Sequence, residues 1–273
     1  MELKATRYAV EDAIATVTLH RPERMNAWTG RMHTEYRWLM QQADHDPDVG
    51  AIIVTGEGRA FCAGGDAKAL EGHVAKGGYD PGTPVDLAQP GSGVRPEFEA
   101  FFAWHCGLTK PVVAAINGAA AGVGFALACW CDLRFAAEGA KMTTAHGPLG
   151  LPAEYGLSWL LPKMIGLTRA NDLLLSSRKF LAEEALAMGL VNAVAPKDQV
   201  VAQARAYLAD VLARVAPSSL TATRHQVYAD LHRSAAEAVI DSEARLEAMM
   251  KGEDYREGVA AFVGKRAPNW SRD

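Results

Sequence analysis

Two short apolar runs that each empty into a glycine-rich turn constrain this chain more than any other feature. AIIVTG at Ala51–Gly56 and PVVAAIN at Pro111–Asn117 are continuous, rich in β-branched residues and bounded by Gly or Pro, the pattern of strands covered on both faces. The first leads to FCAGGD at Phe61–Asp66 and the second to GAAAGVG at Gly118–Gly124, and each turn is followed by residues of helical composition. The unit recurs at an offset of about sixty residues, which implies a structural repeat and an α/β fold.

Glycine turns of this kind let backbone N–H groups approach a ligand without interference from a Cβ. Two such N–H groups converging on one oxygen make an oxyanion hole. The second turn opens a helix over GVGFALACWC, so its first N–H groups lie where the helix dipole favours negative charge. Close helix–strand packing is the competing explanation for the same glycines, and the turns alone do not separate the two.

The rest of the chain follows the same grammar. Ile14-Ala-Thr-Val-Thr-Leu19 alternates as a half-buried strand should, and Arg21-Pro22 ends it. Leu133–Ala137, Lys141–Ala145 and Leu190–Val194 are further strand candidates. Glu71–Pro96 is rich in Gly and Pro without a sustained period, and reads as a mobile loop of the kind found at binding sites. From about Lys197 the pattern is helical: Val200, Ala204, Tyr207, Leu208, Val211 and Val215 share one face, Pro217 and Ser218 interrupt it, and Ser234-Ala-Ala-Glu237 fits a capping box. Phe101, Phe102 and Trp104 read as the core of a helix before Lys110.

Composition excludes several classes. A formal net charge of -4 without a basic run argues against nucleic acid, and no stretch of some 18 apolar residues is present for a membrane span. The N-terminus lacks the apolar core and cleavage site of a secretory signal, so a cytoplasmic protein is expected. Cys62, Cys106, Cys129 and Cys131 sit in apolar stretches and read as reduced and buried; Cys129-x-Cys131 has no second ligand pair for zinc, and no metal is expected. There is no third glycine for a dinucleotide fingerprint, no GxxxxGKS/T phosphate loop and no GxSxG nucleophile elbow.

HRPERMNAW at His20–Trp28, VTGEGRAFCAGGDAKAL at Val54–Leu70 and KPVVAAINGAAAGVGFALACWCDLRFA at Lys110–Ala136 resemble, in order, the motifs of the enoyl-CoA hydratase/isomerase or crotonase superfamily. GLVNAVAP at Gly189–Pro196 and the terminal DYREGVAAFVGKR extend the resemblance over nearly the whole chain. It implies a crotonase fold, with a ββα superhelix core over residues 1–196 carrying an acyl-CoA site. A helical C-terminal region over 197–273 would then serve trimerisation and site cover, in a homotrimer or hexamer. It further implies an acyl-CoA substrate, with coenzyme A as part of that substrate and no separate cofactor. The thioester carbonyl would sit between the N–H groups of Gly65 and Val123. Arg24, Met25, Ala63, Asp66 and Ala67 would border the nucleotide and pantetheine, Lys68 would lie near the CoA phosphates, and Ala119, Gly122 and Ala126 would line the acyl pocket.

The sequence departs from the hydratases of that family at both carboxylates that handle water. Where the first glutamate belongs stands Ala126, and where the second belongs stands His146. An acid/base group is typically worth about 10²–10⁴ in rate. His146, whose imidazole can accept or donate a proton, and Glu154, in GLPAEYGLSW, are therefore the candidates for proton transfer, each with an ordinary packing or pairing explanation beside it. Tyr155 is a weaker candidate donor. Three functions fit: a hydratase- or isomerase-type enzyme working through a thioester enolate, a hydrolase of β-diketones using His146, or a silent acyl-CoA binder. The family's carbon–carbon hydrolases also carry a histidine at this place, but their partner aspartate falls on Tyr155 here, and Lys68 with the RPERMN segment favours CoA.

Overall fold

The computed structural model describes residues 1–78, 81–84 and 87–271. In chain order the first elements are β1 (Thr6–Glu11), β2 (Ile14–Leu19), α1 (Gly30–His45), β3 (Ala51–Gly56), β4 (Ala60–Cys62) and α2 (Ala67–Lys76). Next come β5 (Val112–Ile116), β6 (Ala119–Ala121), α3 (Val123–Trp130), β7 (Leu133–Ala137), β8 (Lys141–Thr143), α4 (Leu157–Ile165), α5 (Leu167–Ser176), β9 (Phe180–Leu181), α6 (Ala182–Ala187) and β10 (Ala193–Ala195). Four helices close the chain: α7 (Val200–Arg214), α8 (Pro217–Asp230), α9 (Ala235–Met249) and α10 (Glu253–Gly264).

The strands divide between two sheets, in the orders β1-β2-β3-β5-β7-β10 and β4-β6-β8-β9. The chain alternates between them: β3, β5 and β7 enter the large sheet, and β4, β6 and β8 leave it for the small one. Because β3, β5 and β7 are parallel, as are β4, β6 and β8, each repeat lands beside the previous one with the same polarity. That is the ββα coil the family resemblance implies. Every residue of β3 and β5 is buried, as their unbroken apolar runs require. β2 alternates instead, and its antiparallel partner β1 forms the sheet edge.

The helices cover these sheets by their apolar stripes. α1 buries Met32, Tyr36, Leu39, Met40 and Ala43, and Thr29 caps it by accepting from Met32 N at 3.1 Å. α7 buries Val200, Ala204, Leu208 and Leu212, and packs across β2, β3, β5, β7 and β10. α8 is anchored through Arg224, whose Nε donates to Asp132 at 2.9 Å. α9 buries none of its residues and α10 only Ala261, so their apolar faces are left exposed. The Ser234–Glu237 capping box is present, with both reciprocal hydrogen bonds.

Four expectations change in detail. The Glu71–Pro96 segment is not uniformly irregular, because α2 continues through Lys76. Its later part is held on α1, with Arg37 donating to the Ala88 carbonyl at 2.6 Å and the Thr34 and Thr83 hydroxyls 2.7 Å apart; Tyr79, Asp80, Val85 and Asp86 of that segment lie outside the described residues. The second glycine turn contains strand β6, whose three alanines carry no periodicity to announce it. Residues Ala103–Gly107 form a 3-10 rather than an α-helix, and the last core strand is Ala193–Ala195, shifted along from Leu190–Val194.

Candidate active site

The site is built where three neighbouring parallel strands of the small sheet end. β4 runs out at Cys62 into AGGD, β6 at Ala121 into Gly122-Val123, and β8 at Thr143 into Thr144-Ala145-His146. Pairing of β4 with β6 and of β6 with β8 therefore sets Gly65, Val123 and His146 on one edge.

The two glycine turns touch. Gly64 (φ +106) and Gly122 (φ +50) hold left-handed conformations that disfavour a Cβ, and a Cβ on Gly122 would lie 3.8 Å from Gly64 Cα. Gly124 has a different reason: its Cβ would fall 2.3 Å from the Cys62 carbonyl oxygen, so only glycine lets α3 approach β4 this closely. Both explanations of the glycines, backbone presentation and close packing, thus apply at different positions.

The Arg21–Trp28 segment braces the first turn from its other side. Trp28 N donates to Gly64 O at 2.8 Å and Asp66 N to Trp28 O at 2.9 Å, which leaves the Gly65 N–H between them unused by any described residue. Val123 N–H, first in α3, likewise donates to no described residue. Asn26 locks the brace: it is fully buried at φ 56, donates from Nδ2 to Glu57 O (2.9 Å) and Ala60 O (2.8 Å), and accepts from Arg21 N (2.9 Å). Sequence reasoning named its neighbours Arg24 and Met25 and passed over Asn26; the readable signal was an asparagine, tolerant of left-handed φ, after Pro in a turn.

Asp66 has a committed role. Its carboxylate takes Arg21 Nη1 at 3.0 Å and Lys68 N at 3.0 Å. Burial pushes its pKa up, but the hydrogen bond and charge of Arg21 and the backbone donors of α2 together hold it below the usual range. Ala63 is similarly engaged, its N–H donating to Met25 O at 3.1 Å. Arg24, Met25, Ala67 and Lys68 are exposed around this turn, and the Arg24 and Lys68 side chains make no hydrogen bond or ion pair to described residues. Ala119 and Gly122 are partly buried at the end of the small sheet, while Ala126 is fully buried within α3 and offers only a methyl group.

His146 is buried, and its Nε2–H donates to Leu174 O at 3.1 Å because a carbonyl can only accept. The other ring nitrogen, Nδ1, is buried without a partner. The segment carrying it is pinned by Ser177, which accepts from Gly147 N at 3.0 Å and from the Thr144 hydroxyl at 3.1 Å, and whose carbonyl takes the Thr143 hydroxyl at 2.8 Å. Glu154, half buried, faces His146 electrostatically. Desolvation raises its carboxyl pKa, and the pull of His146 in the other direction does not cancel it. No hydrogen bond engages its carboxylate among the described residues. Tyr155 adopts φ 53 and its carbonyl accepts from Trp130 Nε1 at 2.8 Å, so its backbone is fixed by packing.

Cys62 lies beneath the first turn, but burial pushes its thiol up to about 12 and removes it as a nucleophile near neutral pH. All four cysteines are free and buried. Among the described residues no group of three His, Cys, Asp or Glu side chains could hold a metal ion, and no helix is long and apolar enough to cross a membrane.

Paired glycine turns at the ends of adjacent strands, in a ββα coil, define a crotonase-type protein. The family model for enoyl-CoA hydratase/isomerase matches residues 9–273, and the chain belongs to that family. It is 34% identical over 268 residues to the 1,2-epoxyphenylacetyl-CoA isomerase of Escherichia coli, covering 96% of each chain. It is 31% identical over 261 residues to the mevalonyl-coenzyme A hydratase of Aspergillus fumigatus, covering 94% of this chain and 91% of that one. Among solved structures it resembles an enoyl-CoA hydratase from Bacillus anthracis at a TM-score of 0.85 and 25% identity, over 99% of this chain and 100% of that one. The architecture is the crotonase fold with several C-terminal helices.

Proposed function

We propose that this protein binds an acyl-CoA thioester with its carbonyl oxygen between the N–H groups of Gly65 and Val123, and moves protons on the resulting enolate with His146 and Glu154. The observation that carries the reading is the shared edge on which three strand ends set two unengaged N–H groups and a buried histidine. As negative charge develops on the thioester oxygen, both donors are already in place and the α3 dipole adds to them. His146 Nδ1 is the nitrogen able to take a proton from the carbon next to the carbonyl. Glu154, whose carboxyl burial holds above its usual range, is suited to return one at another carbon.

With a methyl at Ala126 and an imidazole at His146, the chain lacks the carboxylate pair that addition of water uses. Proton relocation within the acyl chain, an isomerase-type reaction, therefore fits better than rapid hydration. Exposed Arg24 and Lys68 supply the positive charge for the CoA phosphates, and the apolar faces left on α9 and α10 suit contact with further copies of the chain in a trimer or hexamer.

Exchange of the protons next to the carbonyl of butyryl-CoA, followed by NMR in D2O, tests the chemistry. Wild type exchanges them, and His146→Ala slows exchange by about 10²–10⁴ while CoA binding persists. Exchange at an unchanged rate in His146→Ala refutes the role of the histidine. Binding without any exchange makes the protein a silent binder, and hydration of crotonyl-CoA at rates usual for two-carboxylate enzymes refutes the argument from Ala126 and His146. Light scattering reads the oligomer.

A further inference from the structure

The turn that joins β3 to β4 is gripped by two side-chain amides from distant parts of the chain. Asn26, in the brace, donates from Nδ2 to Glu57 O at 2.9 Å and to Ala60 O at 2.8 Å. Asn117, which follows β5, donates from Nδ2 to Gly58 O at 3.1 Å and to Ala60 O at 3.3 Å, and accepts from Gly56 N at 3.1 Å. Each amide thus spends both of its N–H bonds on the turn, and the two meet on the lone pairs of a single carbonyl, that of Ala60. Asn26 is fully buried and Asn117 nearly so, which shields these bonds from competition by water.

Ala60 is the first residue of β4, and both glycine turns run outward from it. Along β4 the chain reaches Gly65, whose N–H is bracketed by Trp28, two residues beyond Asn26. Across the small sheet Ala60 pairs with Ala119 of β6, which leads from Asn117 and Gly118 to Gly122 and Val123. Backbone pairing alone specifies this junction loosely. β4 and β6 are three residues each, and their register shifts between Ala60 and Cys62, which face Ala119 and Ala120. The amides supply what the interrupted ladder does not. Asn26 fixes the Trp28 bracket against the start of β4, and Asn117 fixes the entry to β6 against the same oxygen. That entry is closely seated, because a Cβ on Gly118 would fall 2.2 Å from Arg59 O.

We infer that Asn26 and Asn117 are a pair of positioning residues that set the separation of the Gly65 and Val123 N–H groups, each holding its own donor in register with the Ala60 carbonyl. Neither amide faces the thioester, since both are spent within the fold. This rests on the acyl-CoA reading above and adds to it what keeps the two donors aimed at one oxygen.

Isotope-edited infrared spectra of the full-length protein with butyryl-CoA carrying 13C at the carbonyl test it, beside exchange of the protons next to that carbonyl. Hydrogen bonds to the thioester oxygen move its stretching band to lower wavenumber on binding. Asn26→Gly keeps the left-handed backbone and removes one amide, and Asn117→Ala removes the other. Each returns the band towards its position in free butyryl-CoA and lowers kcat for exchange about 10²-fold, the cost of misplacing a preorganised group by about an ångström, with KM little changed. The double variant loses no more than the worse single one, because the two amides serve one junction. Leu208→Ala, in the core face of α7, controls for stability: it lowers the urea midpoint and leaves band and kcat at their wild-type values. Asn26→Asp and Asn117→Asp keep the accepted bonds and lose the N–H donors, and stand in with the same expected shift where a truncation does not fold. The band decides whether or not the protein turns over. A wild-type band in the folded variants, or single losses that add in full in the double variant, overturns the shared clamp while the acyl-CoA reading stands. If butyryl-CoA binds wild type without a band shift, or does not bind, that reading itself fails and the clamp falls with it.

Discussion

Replacing Gly124 by alanine separates two uses of glycine that a sequence cannot tell apart. Gly124 follows Val123 in the first turn of α3, and a Cβ there would lie 2.3 Å from Cys62 O, 2.5 Å from Cys62 Cβ and 2.8 Å from Cys62 Sγ. The first of these is backbone of β4, so no change of rotamer relieves it. Non-bonded atoms are comfortable near 3.5 Å, and α3 or β4 must yield by roughly an ångström. Overpacking of this kind costs about 1–3 kcal/mol. Alanine would otherwise gain about 1 kcal/mol over glycine in a helix, which sets a net loss of up to about 2 kcal/mol. Gly72 in α2 is the control: nothing lies within 4 Å of its Cβ position, so the same substitution there stabilises by up to about 1 kcal/mol. Urea titration reads both as shifts of the midpoint at constant slope. Because Val123 moves with α3, Gly124→Ala also weakens thioester binding, and Gly72→Ala does not. Adding Cys62→Ala to Gly124→Ala removes the sulfur but not the carbonyl, so stability returns only in part. A Gly124→Ala protein stabilised as much as Gly72→Ala, or full recovery in the double variant, would refute the close approach of β4 and α3 as the cause.

Arg224→Met strands Asp132, which also accepts from Val112 N at 2.6 Å and the Tyr228 hydroxyl at 2.6 Å, and frees the carbonyls of His105 and Leu108; a loss of about 3–5 kcal/mol is expected in urea titration, and a loss under 1 kcal/mol would refute the pairing. The Glu154 carboxyl is raised by desolvation, so the folded state holds its proton more tightly than the unfolded chain, and stability falls as pH rises from the ordinary carboxylate range through the folded value. Glu154→Gln should therefore melt higher than wild type above that window and not below it; a melting difference independent of pH would count against a buried carboxyl. His33 shows the opposite sign: its folded pKa, pushed down to about 4 from 6.5, makes the chain lose stability as pH falls through that interval, by roughly 3 kcal/mol for this group, and His33→Phe should flatten the acid limb of a stability–pH curve.

What could be read in the sequence follows the range of the interactions. β3 and β5 were legible because every residue is apolar and buried, and the Ser234 capping box because both partners lie within one turn of α9. Cys62, Cys106, Cys129 and Cys131 are buried as their apolar surroundings required. β6 was not legible, since Ala119–Ala121 has no strand preference of its own and is a strand only because β4 and β8 flank it. The hold of Arg21 on Asp66, 45 positions apart, was not legible either. His33 gave no signal at all, because its burial rests on Phe101 and Trp28, which tertiary packing brings to it.

The same distinction bears on how the site changes its chemistry. β4, β6 and β8 are three residues each, too short to be stable alone. They are placed by β3, β5 and β7, which precede them in the large sheet, and the covered interior of that sheet fixes their spacing. Gly65 and Val123 hold their places through backbone pairing and the Asn26 brace, which need no particular acid or base nearby. His146 and Glu154 stand beyond the end of β8, on a segment held by Ser177 rather than by the sheet. Side chains there can be exchanged without moving the proposed oxyanion donors. It follows that Ser177→Ala should loosen His146 and slow proton exchange while leaving the affinity for CoA thioesters close to wild type; loss of affinity in step with rate would mean that the third strand end and the first two are one mechanical unit.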